Sequence, residues 1–248
     1  MRLTNLLLIT LFASVLVISS CKKETEKQDA QLYFVFSHRV GSENLESDTL
    51  KYTNAAANKY SVSTLKYFIS SISMTKSDGS NYVFDVAHYV DAFDPTTTTF
   101  ILPNLAPAGE YESLSFIFGL NEDLNISGAF PNQPESNMEW PLPMGGGYHY
   151  MKLEGKFDST NSVKNYQAHF GRLMESPHFF EITLPNISLN VDGLAITFNI
   201  KMDINKWWET PNTLDLNNMS GIMGNETVQQ QLEQNGTNVF SYMIEKPD

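Results

Sequence analysis

Apolar residues return at every second position through most of this chain, and that period predicts strands. Leu32, Phe34, Phe36 and His38 share one face of a strand over residues 31–38, so the apolar face ends in a histidine. Residues 41–60 are polar and read as a loop. Residues 65–75, rich in aromatic and β-branched side chains, run through Asp78-Gly79 into a second such run at 81–91, which predicts a hairpin. The Thr96 to Thr99 run with Pro103, Pro107 and Gly109 marks another loop, followed by a strand at 111–120 with Leu114, Phe116 and Phe118 on one face. Residues 148–157 and 166–171 predict two further strands. Residues 179–190 and 194–203 alternate on either side of Asp192-Gly193 and predict a second hairpin.

Helix is confined to the end of the chain. Residues 205–210 can form a short turn, and residues 226–235 form a helix capped by Asn225 and stopped by Gly236. There is no internal repeat. About eight strands at irregular spacing predict an all-β protein, an antiparallel β-sandwich with a long functional loop and a short C-terminal helix, in one domain over residues 31–248.

The long loop is residues 121–147. It carries Pro131, Pro134, Pro141 and Pro143 beside Met138, Trp140 and Met144, ends in Gly145-Gly-Gly147, and feeds a strand whose first side chains include His149. So long a segment without regular structure inside a compact domain points to function. Met138, Met144, His149 and Met151 concentrate soft and borderline metal donors here. Alternation sets His149 with Met151 and Leu153 on the core side. It equally sets His88 with Phe84 and Val86, and His178 with Phe180 and Ile182, so inward alternation alone does not separate a ligand from a core histidine.

The first twenty residues have a short basic start, an apolar run and small residues before Cys21, the single cysteine. They read as a secretory signal, too short for a membrane-spanning helix. Cys21 after Ile18-Ser19-Ser20 resembles the lipobox of bacterial lipoproteins, so it is expected to be acylated and to anchor the mature chain. Residues 21–30 are then a lipidated, solvated tether; its Lys and acid run resembles a surface-export signal. Loss of Arg2 with the signal takes the net charge from −12 to −13. Such a chain is unsuited to nucleic acid and is repelled by anionic lipid, leaving the acyl chains as its membrane partner. The expected location is the outer membrane, facing periplasm or surface.

Several segments in order resemble the MbnP-like family of methanobactin-associated periplasmic copper proteins. They are Phe36-Ser-His38, the Tyr-Ser-Val-Ser-x-Leu-x-Tyr-x-Ile-Ser segment from Tyr60 to Ser70, and Pro-Ala-Gly-x-Tyr-x-Ser-x-Ser-Phe from Pro107 to Phe116. Met138-x-Trp140, Gly147-Tyr-x-x-x-Lys-Leu-Glu-Gly155 and His169-x-Gly171 complete the series. The resemblance covers most of residues 31–205. It implies one copper ion held by histidines, with His38 and His169 on recurrent histidine positions and His149 where members often carry an apolar residue. In some members a tryptophan oxidised to kynurenine joins the site, its formation attributed to a dihaem peroxidase partner; Trp140 lies on the Met-x-Trp motif.

The metal candidates are therefore His38, His149 and His169, with Trp140, Met138 and Met151 as modified or neighbouring groups. Met138, Met144 and Met151 also suit a gap-filling role in the core. The glycine triplet has no Walker spacing behind it and serves instead to let backbone pass close to another group. Gly-x-Ser-x-Gly, His-Glu-x-x-His and a Cys–His pair are absent, so the chain is not expected to be an enzyme. Glu154 and Asp203 are the acids nearest the candidate site in sequence. Two other readings remain: a metal-free envelope module holding a glycan or protein through the loop and the Trp207-Trp208 pair, and calcium binding, for which no Asp-x-Asp-x-Asp-Gly loop is present.

Overall fold

The structure is a computed structural model that describes residues 26–160, 162–184, 187–219 and 221–246. The signal segment, Cys21 and the start of the tether lie outside the described residues. In chain order the strands begin with β1 Leu32–Val40, β2 Glu43–Asn44, β3 Tyr52–Thr53, β4 Lys59–Tyr60, β5 Thr64–Thr75 and β6 Asn81–Asp91. There follow β7 Thr99–Ile101, β8 Gly109–Tyr111, β9 Ser113–Phe118, β10 Met151–Ser159 and β11 Ser162–Phe170. The chain continues with β12 Phe180–Leu184, β13 Leu189–Val191, β14 Ile196–Asp203, helix α1 Glu226–Gly236 and β15 Phe240–Glu245.

These strands form an all-β sandwich. One sheet has the order β15-β14-β1-β2, with β7 also on β1; the larger has the order β12-β9-β5-β10-β4-β3, with β6 on β5 and β11 on β10. β8 and β13 form a separate pair. Phe34 stacks on Phe198 at 5.1 Å within the first sheet, and Phe36 meets Tyr67 of the second at 6.3 Å. The core is therefore aromatic and lies between the sheets, with Phe118 and the fully buried Trp207 in contact at 5.2 Å.

The Asp78-Gly79 hairpin forms as predicted, pairing β5 with β6 from Lys66↔Asp91 to Thr75↔Asn81. The Asp192-Gly193 hairpin does not. β13 pairs with β8, whereas β14 crosses to the other sheet, where it runs parallel to β1 and antiparallel to β15. Gly193 donates its N–H to Gln28 O at 2.7 Å, so this turn hands the chain from one layer to the next. Among the named strands the β1–β14 pairing is the parallel exception, and a parallel neighbour is reached by a long crossover that no turn signal encodes.

Asn225 caps α1 by accepting from Val228 N. The helix ends at Gly236, its last residue, where a Cβ would fall 2.2 Å from Phe180 Cζ and 2.8 Å from Trp207 Cζ3, so this glycine is also a packing requirement. Residues 121–147 are also more ordered than their composition predicts. They contain 3-10 turns at Glu135–Met138 and Leu142–Met144, and Glu139 bridges Tyr148.

Candidate metal centre

β10 and β11 pair in register from Met151↔Phe170 to Ser159↔Ser162, and that register decides which histidine can meet which. Met151, Leu153, Ala168 and Phe170 are buried toward the sandwich interior, so Lys152, Glu154 and His169 face outward. The outer face is not bare there: residues 121–149 fold over it, and α1 is tied to the end of β11 through Gln229.

Three glycines shape this cover. Gly145, Gly146 and Gly147 all have positive φ, and a Cβ on Gly147 would fall 2.2 Å from Asn125 Oδ1. The same Asn125 oxygen accepts from Tyr148 N at 2.8 Å, while its amide donates to Tyr150 OH at 3.0 Å. Backbone bonds Trp140 N to Gly147 O (2.8 Å) and His149 N to Met138 O then close a ribbon that turns His149 out of the core alternation. His149 faces the outer side, its ring edge-on to His169 at 4.9 Å and to Trp140 at 4.6 Å. Trp140 also rests against Gly171, where a Cβ would come within 3.1 Å of the indole. The Met-x-Trp and His-x-Gly segments are thus two halves of one packing unit.

The hydrogen bonds assign the ring protons. Met138 O can only accept, so the 2.9 Å contact fixes the proton of His149 on Nδ1 and leaves a lone pair on Nε2. That Nε2 is buried without a hydrogen-bond partner, as is Trp140 Nε1. Burial, with help from the Lys152 charge, holds the His149 imidazole down to about 3, so it is neutral. His169 Nε2 lies 2.6 Å from Glu154 Oε1, and this hydrogen bond keeps the Glu154 carboxyl below its usual range. An ionised carboxylate only accepts, which places the His169 proton on Nε2 and leaves Nδ1 as the donor atom. Imidazoles that bind metals usually present one nitrogen while the other N–H is held by a carbonyl or carboxylate. His149 and His169 show one of each.

From the other side, Gln229 of α1 donates to His169 O (2.9 Å) and Ile222 O (3.1 Å) and accepts from Gly171 N (3.2 Å). A single buried amide therefore ties the helix to the end of β11. Nothing in the sequence pattern marks Gln229; its place inside an otherwise polar helix gives no signal.

His38 is placed elsewhere. It follows Phe36 on the inward face of β1, and its Nε2 bonds Tyr67 OH at 3.0 Å, whereas Tyr67 is fully buried on the inner face opposite Met151. His38 and His169 lie on opposite faces of the larger sheet. Alternation alone would set His149 on the core side with Met151, but the ribbon before β10 carries it to the outer face beside His169 and away from His38. Desolvation lowers the His38 imidazole to about 4. Met151 is buried inward, and Met138 offers His149 its carbonyl while its side chain is buried. Among the described residues, no three His, Cys, Asp or Glu side chains are grouped as in a complete metal site.

The remaining candidates have structural partners. His88 Nε2 donates to Thr97 O at 2.7 Å and its ring stacks on Phe100 at 4.4 Å. Buried His178 sits between Glu233 (2.9 Å) and Glu226 (3.2 Å). Asp203 accepts from Gly41 N at 2.9 Å and caps the turn that follows it. Trp207 and Trp208 are both fully buried and offer no face to a sugar ring.

No helix among the described residues is long and apolar enough to cross a membrane. No curated protein sequence matches the chain. A solved structure, MbnP from Methylosinus trichosporium, is similar in fold with a TM-score of 0.60 at 12% identity, covering 89% of this chain and 100% of that one. The MbnP family model matches residues 29–225. Since that span takes in every strand but β15, with the outward histidines and the loop above them, the chain belongs to the MbnP family.

Proposed function

We propose that this protein is a lipid-anchored envelope protein that captures, stores or hands over copper as cargo, held by His149 Nε2 and His169 Nδ1, and that it is not a turnover enzyme. The observation that carries the reading is the buried, unpartnered Nε2 of His149 beside a second imidazole. A buried polar atom without a partner is costly, and an imidazole lone pair preset by a carbonyl bond suits copper as well as any first-row ion. Glu154 and Met138 O orient the two rings, and Lys152, whose ammonium bonds Asn137 O at 2.6 Å, braces the 3-10 turn above them. Two imidazoles leave room for further donors. Trp140 is the tryptophan that stands against them, and its oxidation to kynurenine by a dihaem peroxidase partner would add one. His38, bonded to Tyr67, is assigned a packing role.

Metal analysis of protein purified from copper-supplemented cells tests the reading. The expected result is one copper per chain, lost in His149→Ala and His169→Ala and retained in His38→Ala. Protein that carries no copper, or keeps it in the His149→Ala, His169→Ala double variant, overturns it. Intact mass reads out the state of Trp140, and labelling with radioactive palmitate reads out acylation at Cys21, each absent in the corresponding Trp140→Phe or Cys21→Ala variant.

A further inference from the structure

His169 does more than face His149. It also borders an open groove of about 520 Å³ along β11, together with Met144, Met219 and Met223. Three of the ten residues lining that groove are methionine, while the whole chain has ten in 248, so composition alone accounts for fewer than one. They arrive from separate segments: Met144 from the 3-10 turn Leu142–Met144, Met219 from the end of the turn Leu216–Asn218, and Met223 from the turn Ile222–Gly224. Met144 reaches across to the C-terminal segment, its Cε 4.0 Å from where a Cβ on Gly224 would stand. A methionine that only fills a core gap is enclosed, as Met138 and Met151 are here; Met144 and Met223 are only partly buried, and Met219, 7% exposed and packed in the core cluster, lines the same groove.

Thioether sulfur is a soft, uncharged donor. It binds monovalent copper or silver and is passed over by calcium and magnesium. We propose that the Met144–Met219–Met223 groove is a docking site for a soft monovalent cation, Cu(I) or its analogue Ag(I), which passes from there to His169 and inward to His149. The proposal rests on the copper reading for its destination, while the groove itself is argued from its own donors. Neutral sulfurs let the ion rest without the strong field of a carboxylate, and His169, shared by the groove and the buried pair, is the step between them.

Two measurements test it. In protein with methyl-labelled methionine, added Ag(I) is expected to shift the methyl signals of Met144, Met219 and Met223 and leave Met138 and Met151 unmoved. In the Met144→Leu, Met219→Leu, Met223→Leu variant, whose side-chain volumes are nearly conserved, Cu(I) transfer from a chromogenic chelator is expected to be several-fold slower, with the final copper content unchanged. Methyl signals that ignore Ag(I), or an unchanged transfer rate in the folded triple variant, overturn the proposal. The silver shifts persist in His149→Ala if the groove binds by itself. Failure of the buried site, seen as wild-type protein without copper, is thus read separately from failure of the groove.

Discussion

Acid should unfold the metal-free protein partly through one ring. His149 is 5% exposed, its Nε2 has no partner, and burial holds its imidazole down to about 3. In the unfolded chain the same group titrates near ~6.5. Because the folded value is the lower one, the unfolded state binds more protons than the folded state throughout the interval between them, and stability falls as pH falls through it. Each pH unit in that interval is worth up to about 1.4 kcal/mol, so going from about pH 7 to about pH 5 should remove about 2 kcal/mol through His149 alone. That is a large share of a typical total of roughly 5–15 kcal/mol. His38, lowered to about 4, acts with the same sign, and Glu154, also lowered, loses its contribution further down. The experiment is therefore a difference: denaturant unfolding of wild type and His149→Phe at several pH values in the presence of a chelator. Phe fills the ring space and cannot take up a proton, so the stability advantage of wild type should shrink by about 2 kcal/mol between about pH 7 and about pH 5. Parallel pH profiles for the two proteins would refute the argument that this imidazole is buried and neutral.

Other substitutions probe how the site is held. Gly147→Ala should cost about 2–4 kcal/mol in thermal or denaturant unfolding, since it combines a positive φ of 82° with a Cβ 2.2 Å from Asn125 Oδ1, and neither can relax alone. Gln229→Leu removes three buried hydrogen bonds and should cost about 2–4 kcal/mol, with hydrogen exchange at the Gly171 amide accelerated more than elsewhere in β11. Replacing both carboxylates that hold His178, as Glu226→Gln and Glu233→Gln together, should weaken the docking of α1 by about 1–3 kcal/mol, read as faster exchange in the helix with the β5–β6 hairpin unchanged.

The sequence by itself determined what is local. Period-two alternation located the long strands, Asp78-Gly79 fixed the first hairpin, Asn225 set the start of α1, and the crowding of Met, Trp and His near the glycine triplet marked the loop that carries the candidate site. Their physics lies within a few residues: a pleat, a turn, a cap. The tertiary structure decided which face of which sheet each side chain meets. Residues 67–70 of β5 are buried without alternation because loops cover the outer face as the second sheet covers the inner one, so an apolar position no longer reports its side. For the same reason His38 and His169, equal as histidines at strand ends, were separated by a sheet, while His149 was turned to join His169 by a ribbon closed between residues 138–140 and 147–149, which no turn signal announces. Asp192-Gly193 made a crossover instead of a hairpin because β14 found a parallel partner in β1, far away along the chain. Met219, Met223 and Gln229 carry no signal in their own neighbourhoods, and only the folding of the C-terminal segment against β11 brought the methionines to the groove that His169 borders and Gln229 to the His169 carbonyl.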